Sequence, residues 1–120
     1  MKRTDTLKKN YEFKNMLSKG KYYSGEFLNI FIKNNSEKNK NFIGIAIGVK
    51  TGKAVKRNRI KRLIRENYRM NEEKLSTGYT ILFLLKKNKD INLVTFENIK
   101  KDMNKIFTKA NLFIKDKEEE

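Results

Sequence analysis

KTGKAVKRNRIKRLIRENYR, residues 50–69, is the stretch on which the reading of this chain turns. Residues 51–56 with Gly52 predict a tight loop, and a helix is expected from about Val55 to Met70. At about 100° per residue, Ile60, Leu63, Ile64 and Tyr68 fall on one side, an apolar seam suited to lie on a sheet. Asn58, Lys61, Arg62, Arg65 and Arg69 lie opposite. Nine basic residues (Lys50, Lys53, Lys56, Arg57, Arg59, Lys61, Arg62, Arg65 and Arg69) face a single acid, Glu66, and five of the six arginines of the chain are here against 23 lysines overall. Arginine presents a planar fork that grips phosphate bidentately and stacks on bases, which lysine does not. Arg57, Lys61, Arg65 and Arg69 follow at i, i+4 steps, each like-charged pair costing about 0.2–0.5 kcal/mol, and only Arg62–Glu66 offsets them, in the less favourable order. An unmixed cationic array of this kind makes sense when phosphates neutralise it.

The flanks supply the sheet. Upstream, Phe42–Lys50 (FIGIAIGVK) reads as a strand with Ile43, Ile45, Ile47 and Val49 on a core face. Phe42, Gly44, Ala46 and Gly48 make a small-residue face that something can approach closely. Glu26–Lys33 (EFLNIFIK) is a second strand, with Leu28, Ile30 and Ile32 on one face and Phe27, Asn29, Phe31 and Lys33 on the other. Residues 34–41 read as a polar hairpin loop between them. Paired in that way, Phe31 and Phe42 would border a shallow floor of glycine and alanine. Either a tightly packed helix or a single strand with bases on the aromatics fits such a floor. Downstream, Tyr79–Leu85 (YTILFLL) is continuously apolar and predicts a central strand covered on both faces. Strand, basic helix, strand suggests a parallel crossover.

Two further helices are expected. Phe96–Ala110 places Phe96, Ile99, Met103, Ile106, Phe107 and Ala110 at core spacing. Near the start, Asn10 can cap a helix over Tyr11–Lys19 that Gly20 closes in a left-handed conformation. Phe13, Met16 and Leu17 make its apolar stripe, for which core packing is the ordinary role. Residues 1–6 and 114–120 are expected to be flexible tails on a single domain spanning 1–120.

A net charge of +15 on 120 residues calls for a polyanionic partner, nucleic acid before anionic membrane. Solubility alone needs a charge of about 2–8 on a small domain. No run is long enough for a membrane span, and the N-terminus MKRTDTLKKNYEF lacks the apolar stretch of a signal peptide, so a cytosolic location is expected. There is no Cys, hence no disulfide framework or thiolate zinc site, and no His, the commonest general base. Gly44, Gly48 and Gly52 do not form a Walker or dinucleotide loop, and the acids are too scattered to hold a catalytic metal as a protein-only nuclease requires. No catalytic residue is assigned. Any catalysis must come largely from a partner.

The block Lys53–Arg65, KAVKRNRIKRLIR, resembles the RNR motif of the bacterial ribonuclease P protein component: Arg57, Asn58, Arg59, Lys61, Arg62 and Arg65 stand in that family's order. GIAIGVKTGKAV before it and the opening LKKNYEF fit the same pattern, and the likeness spans roughly Leu7–Leu112. It implies an α+β fold, two-layer, in the order α-β-β-β-α-β-α, similar to ribosomal-protein RNA-binding domains. It also implies a left-handed crossover around the RNR helix, where general rules favour the right-handed one. The resemblance further implies a subunit that joins a large catalytic RNA to remove 5′ leaders from precursor tRNA. The RNA and substrate would hold the Mg²⁺, and no protein partner is required, although a homodimer of the assembled particle is compatible. By the same resemblance the catalytic RNA would meet Lys50, Lys53, Lys56, Arg57, Asn58, Arg59, Lys61, Arg62, Arg65 and Arg69. A cleft between the first helix and the sheet, with Phe13, Leu17 and Phe31, would hold the leader. Leu17 stands where an aromatic is common, which favours packing over stacking there, and Lys53 where Asn is frequent. The competing reading is a structural, ribosomal-type RNA-binding protein with no part in cleavage. A basic DNA-binding regulator is a weaker third, without a heptad or dimer signal.

Overall fold

The structure, a computed structural model, describes residues 3–114. Its elements are β1 (Thr4–Thr6), α1 (Asn10–Lys19), β2 (Lys21–Ser24), β3 (Leu28–Asn34), β4 (Asn41–Ala46), α2 (Ala54–Asn71), β5 (Tyr79–Leu85) and α3 (Phe96–Lys109). They form one five-stranded mixed sheet in the order β1-β4-β5-β3-β2.

The apolar run of β5 explains its central place. Ile81, Phe83 and Leu85 point into the larger core, while Leu82 and Leu84 belong to the cluster on the opposite face. Such a strand needs neighbours on both edges: β3 pairs with it antiparallel and β4 parallel. The expected hairpin between β3 and β4 therefore does not form. Residues 35–40 carry the chain past the end of β5, and the parallel β4–β5 pair, bridged by α2, is the expected crossover.

α2 and α3 cover one face. Ile60, Ile64 and Tyr68 of α2 and Ile99, Met103, Ile106 and Phe107 of α3 are at most 1% exposed against Leu28, Ile30, Ile43, Ile81 and Phe83 of the sheet. Tyr68, Phe83, Phe107 and Phe113 meet edge to face in series, with centroids 6.1–6.3 Å apart, an arrangement aromatic pairs prefer. Among the described residues α1 lies alone on the other face, so the expected two layers gain a third, partial one.

Two strands escape simple patterning. β1 falls in the expected N-terminal tail, yet Thr4 is buried and pairs in parallel with Asn41. Its hydroxyl bonds the Tyr68 hydroxyl at 2.8 Å, and Asn41 Nδ2 donates to Tyr68 at 3.3 Å and to the Ser76 carbonyl at 3.0 Å. Burial pushes the Tyr68 pKa up, and the bonds from Thr4 and Asn41 partly offset it. At the surface the Asp5–Lys40 pair, 2.6 Å apart, lowers the carboxyl pKa and raises that of the amine through their hydrogen bond. At the C-terminal side, Ile114 N–H donates to the Lys74 carbonyl; the remaining expected tail lies outside the described residues. β4 ends at Ala46, and Val49, expected in the core, is 72% exposed in a 3-10 turn that carries the chain off the sheet to α2.

Candidate nucleic-acid interface

α2 sorts its cations by position. Asn58, Arg62, Arg65 and Arg69 recur every three or four residues on its outer side, all exposed, opposite the seam of Ile60, Ile64 and Tyr68. Lys50, Lys53 and Lys56 are exposed around its N-terminus, where no side chain caps the helix and no acid sits in the first turn. Unsatisfied N–H groups and the positive end of the helix dipole add there to the lysine charge. Lys61 is half-buried on the flank.

Two of the expected contacts have a structural task instead of, or beside, a binding one. The Arg59 guanidinium donates to the Val94 carbonyl from Nη1 and Nη2 at 3.0 and 2.9 Å, and to the Ile91 carbonyl at 3.2 Å. It clamps the segment between β5 and α3 onto α2. Arg57 Nε donates to the Gly52 carbonyl at 3.1 Å, fixing the loop that starts the helix.

On the opposite sheet face, register aligns Tyr22 of β2, Phe31 of β3, Leu82 of β5 and Gly44 of β4 in one cross-strand row. Gly44 is where α1 comes closest. A β-carbon there would lie 2.9 Å from Phe13 Cε1 and 3.1 Å from Leu7 Cδ1, so the helix packs directly on the missing side chain. Gly20 serves a similar approach rather than the left-handed turn expected of it. Its φ is −72°, and a β-carbon would lie 2.6 Å from the Met16 carbonyl and 3.1 Å from Phe31 Cβ. Asn10 is the first residue of α1 rather than its cap, and Glu12 Oε1 accepts from the Lys9 N–H at 3.1 Å.

Phe13 and Phe31, both half-buried, are thus brought into one cluster with the fully buried Met16 and Leu82. Leu17 is not part of it. It is 49% exposed, because Phe13 and Met16 take the sheet side of α1 and Leu17 is turned to the helix flank. Phe42 is also separated from Phe31, because β5 intervenes and Phe42 pairs one row away with Thr80. The small-residue floor is completed by leucines: Ala46, Leu84 and Asn29 form the next row. There a groove of about 530 Å³ opens, lined also by Gly48, Thr51, Lys86, Lys87 and Asn88. Sequence reasoning missed β2 and its Tyr22. The signal was the pair Tyr22–Tyr23 after Gly20, one tyrosine for each face of a very short strand.

In sequence and in fold the chain matches a known group of proteins. The chain fits the Ribonuclease P family profile over residues 1–111, nearly all of its length. The chain belongs to the ribonuclease P protein family. It is 37% identical over 115 residues to the ribonuclease P protein component of Clostridioides difficile, covering 93% of this chain and 96% of that one. It is 38% identical over 110 residues to that of Fusobacterium nucleatum, covering 90% and 98%. Among solved structures it resembles the Staphylococcus aureus RNase P protein, with a TM-score of 0.79 and 27% identity over 91% of this chain and 97% of that one. The Thermotoga maritima RNase P protein, 24% identical with a TM-score of 0.76, covering 87% of this chain and 96% of that one, shares the fold.

The α+β domain is the fold of the solved RNase P proteins. Among the described residues no group of three or more His, Cys, Asp or Glu could hold a metal ion. No helix among them is long and apolar enough to cross a membrane.

Proposed function

We propose that this chain is the protein subunit of ribonuclease P, binding the catalytic RNA through α2 and the 5′ leader of precursor tRNA through the α1-side face of the sheet. The observation that carries the reading is the placement of two RNA-suited surfaces on opposite sides of one sheet in a chain of this family. On one side Asn58, Arg62, Arg65 and Arg69 are exposed with no core task. On the other, Phe13 and Phe31 stand beside the groove with Lys86 and Lys87.

Phosphate contacts fix position and orientation, while aromatic faces hold unpaired bases with little sequence preference. The protein's residues then bind, orient and neutralise. The phosphodiester hydrolysis and the Mg²⁺ it uses are assigned to the RNA and the substrate, in a cytoplasmic particle. Reconstitution with a bacterial ribonuclease P RNA at low Mg²⁺ is expected to restore leader cleavage, and no stimulation there overturns the reading. The competing structural RNA-binding role predicts equal affinity for mature and precursor tRNA. Preference for the precursor, lost by about 1–3 kcal/mol in Phe31→Ala, distinguishes the two.

A further inference from the structure

We infer that Tyr22 is a second base-stacking platform, extending the proposed leader surface from Phe31 to the outer edge of the sheet for a further unpaired nucleotide; the inference rests on the leader reading above.

The row Tyr22–Phe31–Leu82–Gly44 is closed at one end and open at the other. Phe13 covers Gly44, Leu82 is fully buried, and Phe31 is half-buried. Tyr22, at the edge strand, is 52% exposed although its ring centroid is 5.2 Å from that of Phe31. The contact with Phe31 covers one side of the Tyr22 ring. Half of the residue's surface stays free.

The ring is also fixed. Its hydroxyl donates to Asn29 Oδ1 at 3.0 Å, so the phenol is tethered at its far end as well as at the backbone. A pre-ordered ring loses little freedom when a base settles on it. Asn29 itself lines the groove with Lys86 and Lys87, which makes Tyr22 continuous with that cationic channel. Other exposed aromatic surface is placed differently: Tyr11 lies on α1 with the Lys9 ammonium 5.8 Å from its ring centroid.

The geometry specifies the ligand class. The Tyr22 and Phe31 planes are inclined by 51°, so bases lying on the two rings cannot stack on each other. A duplex or a stacked single helix is excluded, and a splayed, unpaired RNA strand is accommodated. Stacking on a phenol discriminates poorly among bases, so leader length matters more than leader sequence.

The test uses the reconstituted holoenzyme with precursor tRNAs carrying a long leader or one truncated to its tRNA-proximal nucleotides, each also made with 2-aminopurine at successive leader positions. Tyr22→Ala is expected to reduce the preference for the long over the truncated leader by about fivefold or more, the low end for one stacked base. It should relieve 2-aminopurine quenching at one position, distinct from the one that Phe31→Ala relieves, and Tyr22→Phe should retain the quenching. If Phe31→Ala relieves quenching at some position and Tyr22→Ala at none, the inference falls and the leader reading stands. If neither substitution affects any leader position, both fall. An equal loss for long and truncated leaders with Tyr22→Ala makes the residue a fold contact and overturns the inference alone.

Discussion

The Asp102 carboxylate on α3 accepts from three consecutive backbone N–H groups, Glu26 at 2.9 Å, Phe27 at 2.7 Å and Leu28 at 2.9 Å, while only 4% exposed. Gly25 is required beside it, since a β-carbon there would fall 2.6–2.8 Å from the carboxylate. The turn so gripped joins β2 to β3 and therefore sets Tyr22 opposite Phe31. Asp102→Asn puts an N–H₂ group against donors it cannot accept from. It is expected to destabilise the fold by about 2–3 kcal/mol, measured as a lower urea midpoint at unchanged slope. A midpoint within error of the parent would mean that the turn holds itself. Neither the partner nor the role of Asp102 was legible in the sequence, where it reads as one polar residue on a helix with a good apolar stripe. Its hydrogen bonds reach some 75 positions away along the chain, and no local period encodes that.

α2 separates two kinds of arginine within one helix. Arg59 is tied to the Ile91 and Val94 carbonyls, whereas Arg65 is exposed with like charges, Lys61 and Arg69, at both i±4 positions. Arg59→Ala is expected to lower stability by about 1–3 kcal/mol, leaving carbonyls without their donor. Arg65→Ala is expected to raise stability by a few tenths of a kcal/mol, by relieving like-charge pairs. On the proposed RNA reading it also flattens the salt dependence of binding by about 0.7–0.9 in log–log slope for each phosphate that the side chain no longer neutralises. Thermal melts and a salt titration of RNA affinity check both, and a reversed pattern would exchange the two roles. The wheel placed α2 well because its buried side is periodic, and β5 and α3 were readable for the same reason. Arg59 lies between the buried and exposed sides, where the wheel cannot say whether a guanidinium turns inward. β1 and β2, three and four residues long, are too short to show a period, and the separation of β3 from β4 by β5 is a matter of sheet order, which local pattern does not carry.

At the scale of the whole molecule, +15 charges are carried by a body whose radius of gyration is 14.1 Å. Many cations therefore lie within a Debye length, about 8 Å at physiological ionic strength, of another, and the folded state repels itself. Unfolding lets the charges spread, so the repulsion counts against the fold. Screening should remove it: raising NaCl from about 0.02 to 0.5 M is expected to stabilise the free protein by on the order of 1 kcal/mol, a rise in Tm of roughly 3–5 °C. The affinity for RNA is expected to fall steeply over the same range, because counterion release drives that binding. The two opposite responses come from the same side chains, and a bound polyanion substitutes for salt by neutralising α2 while it stabilises the native state by mass action. Melting followed by circular dichroism at several NaCl concentrations checks this. A Tm that stays flat or falls would mean that the cations are already compensated within the fold, and the unmixed arginine face would then need a cause other than an absent polyanion.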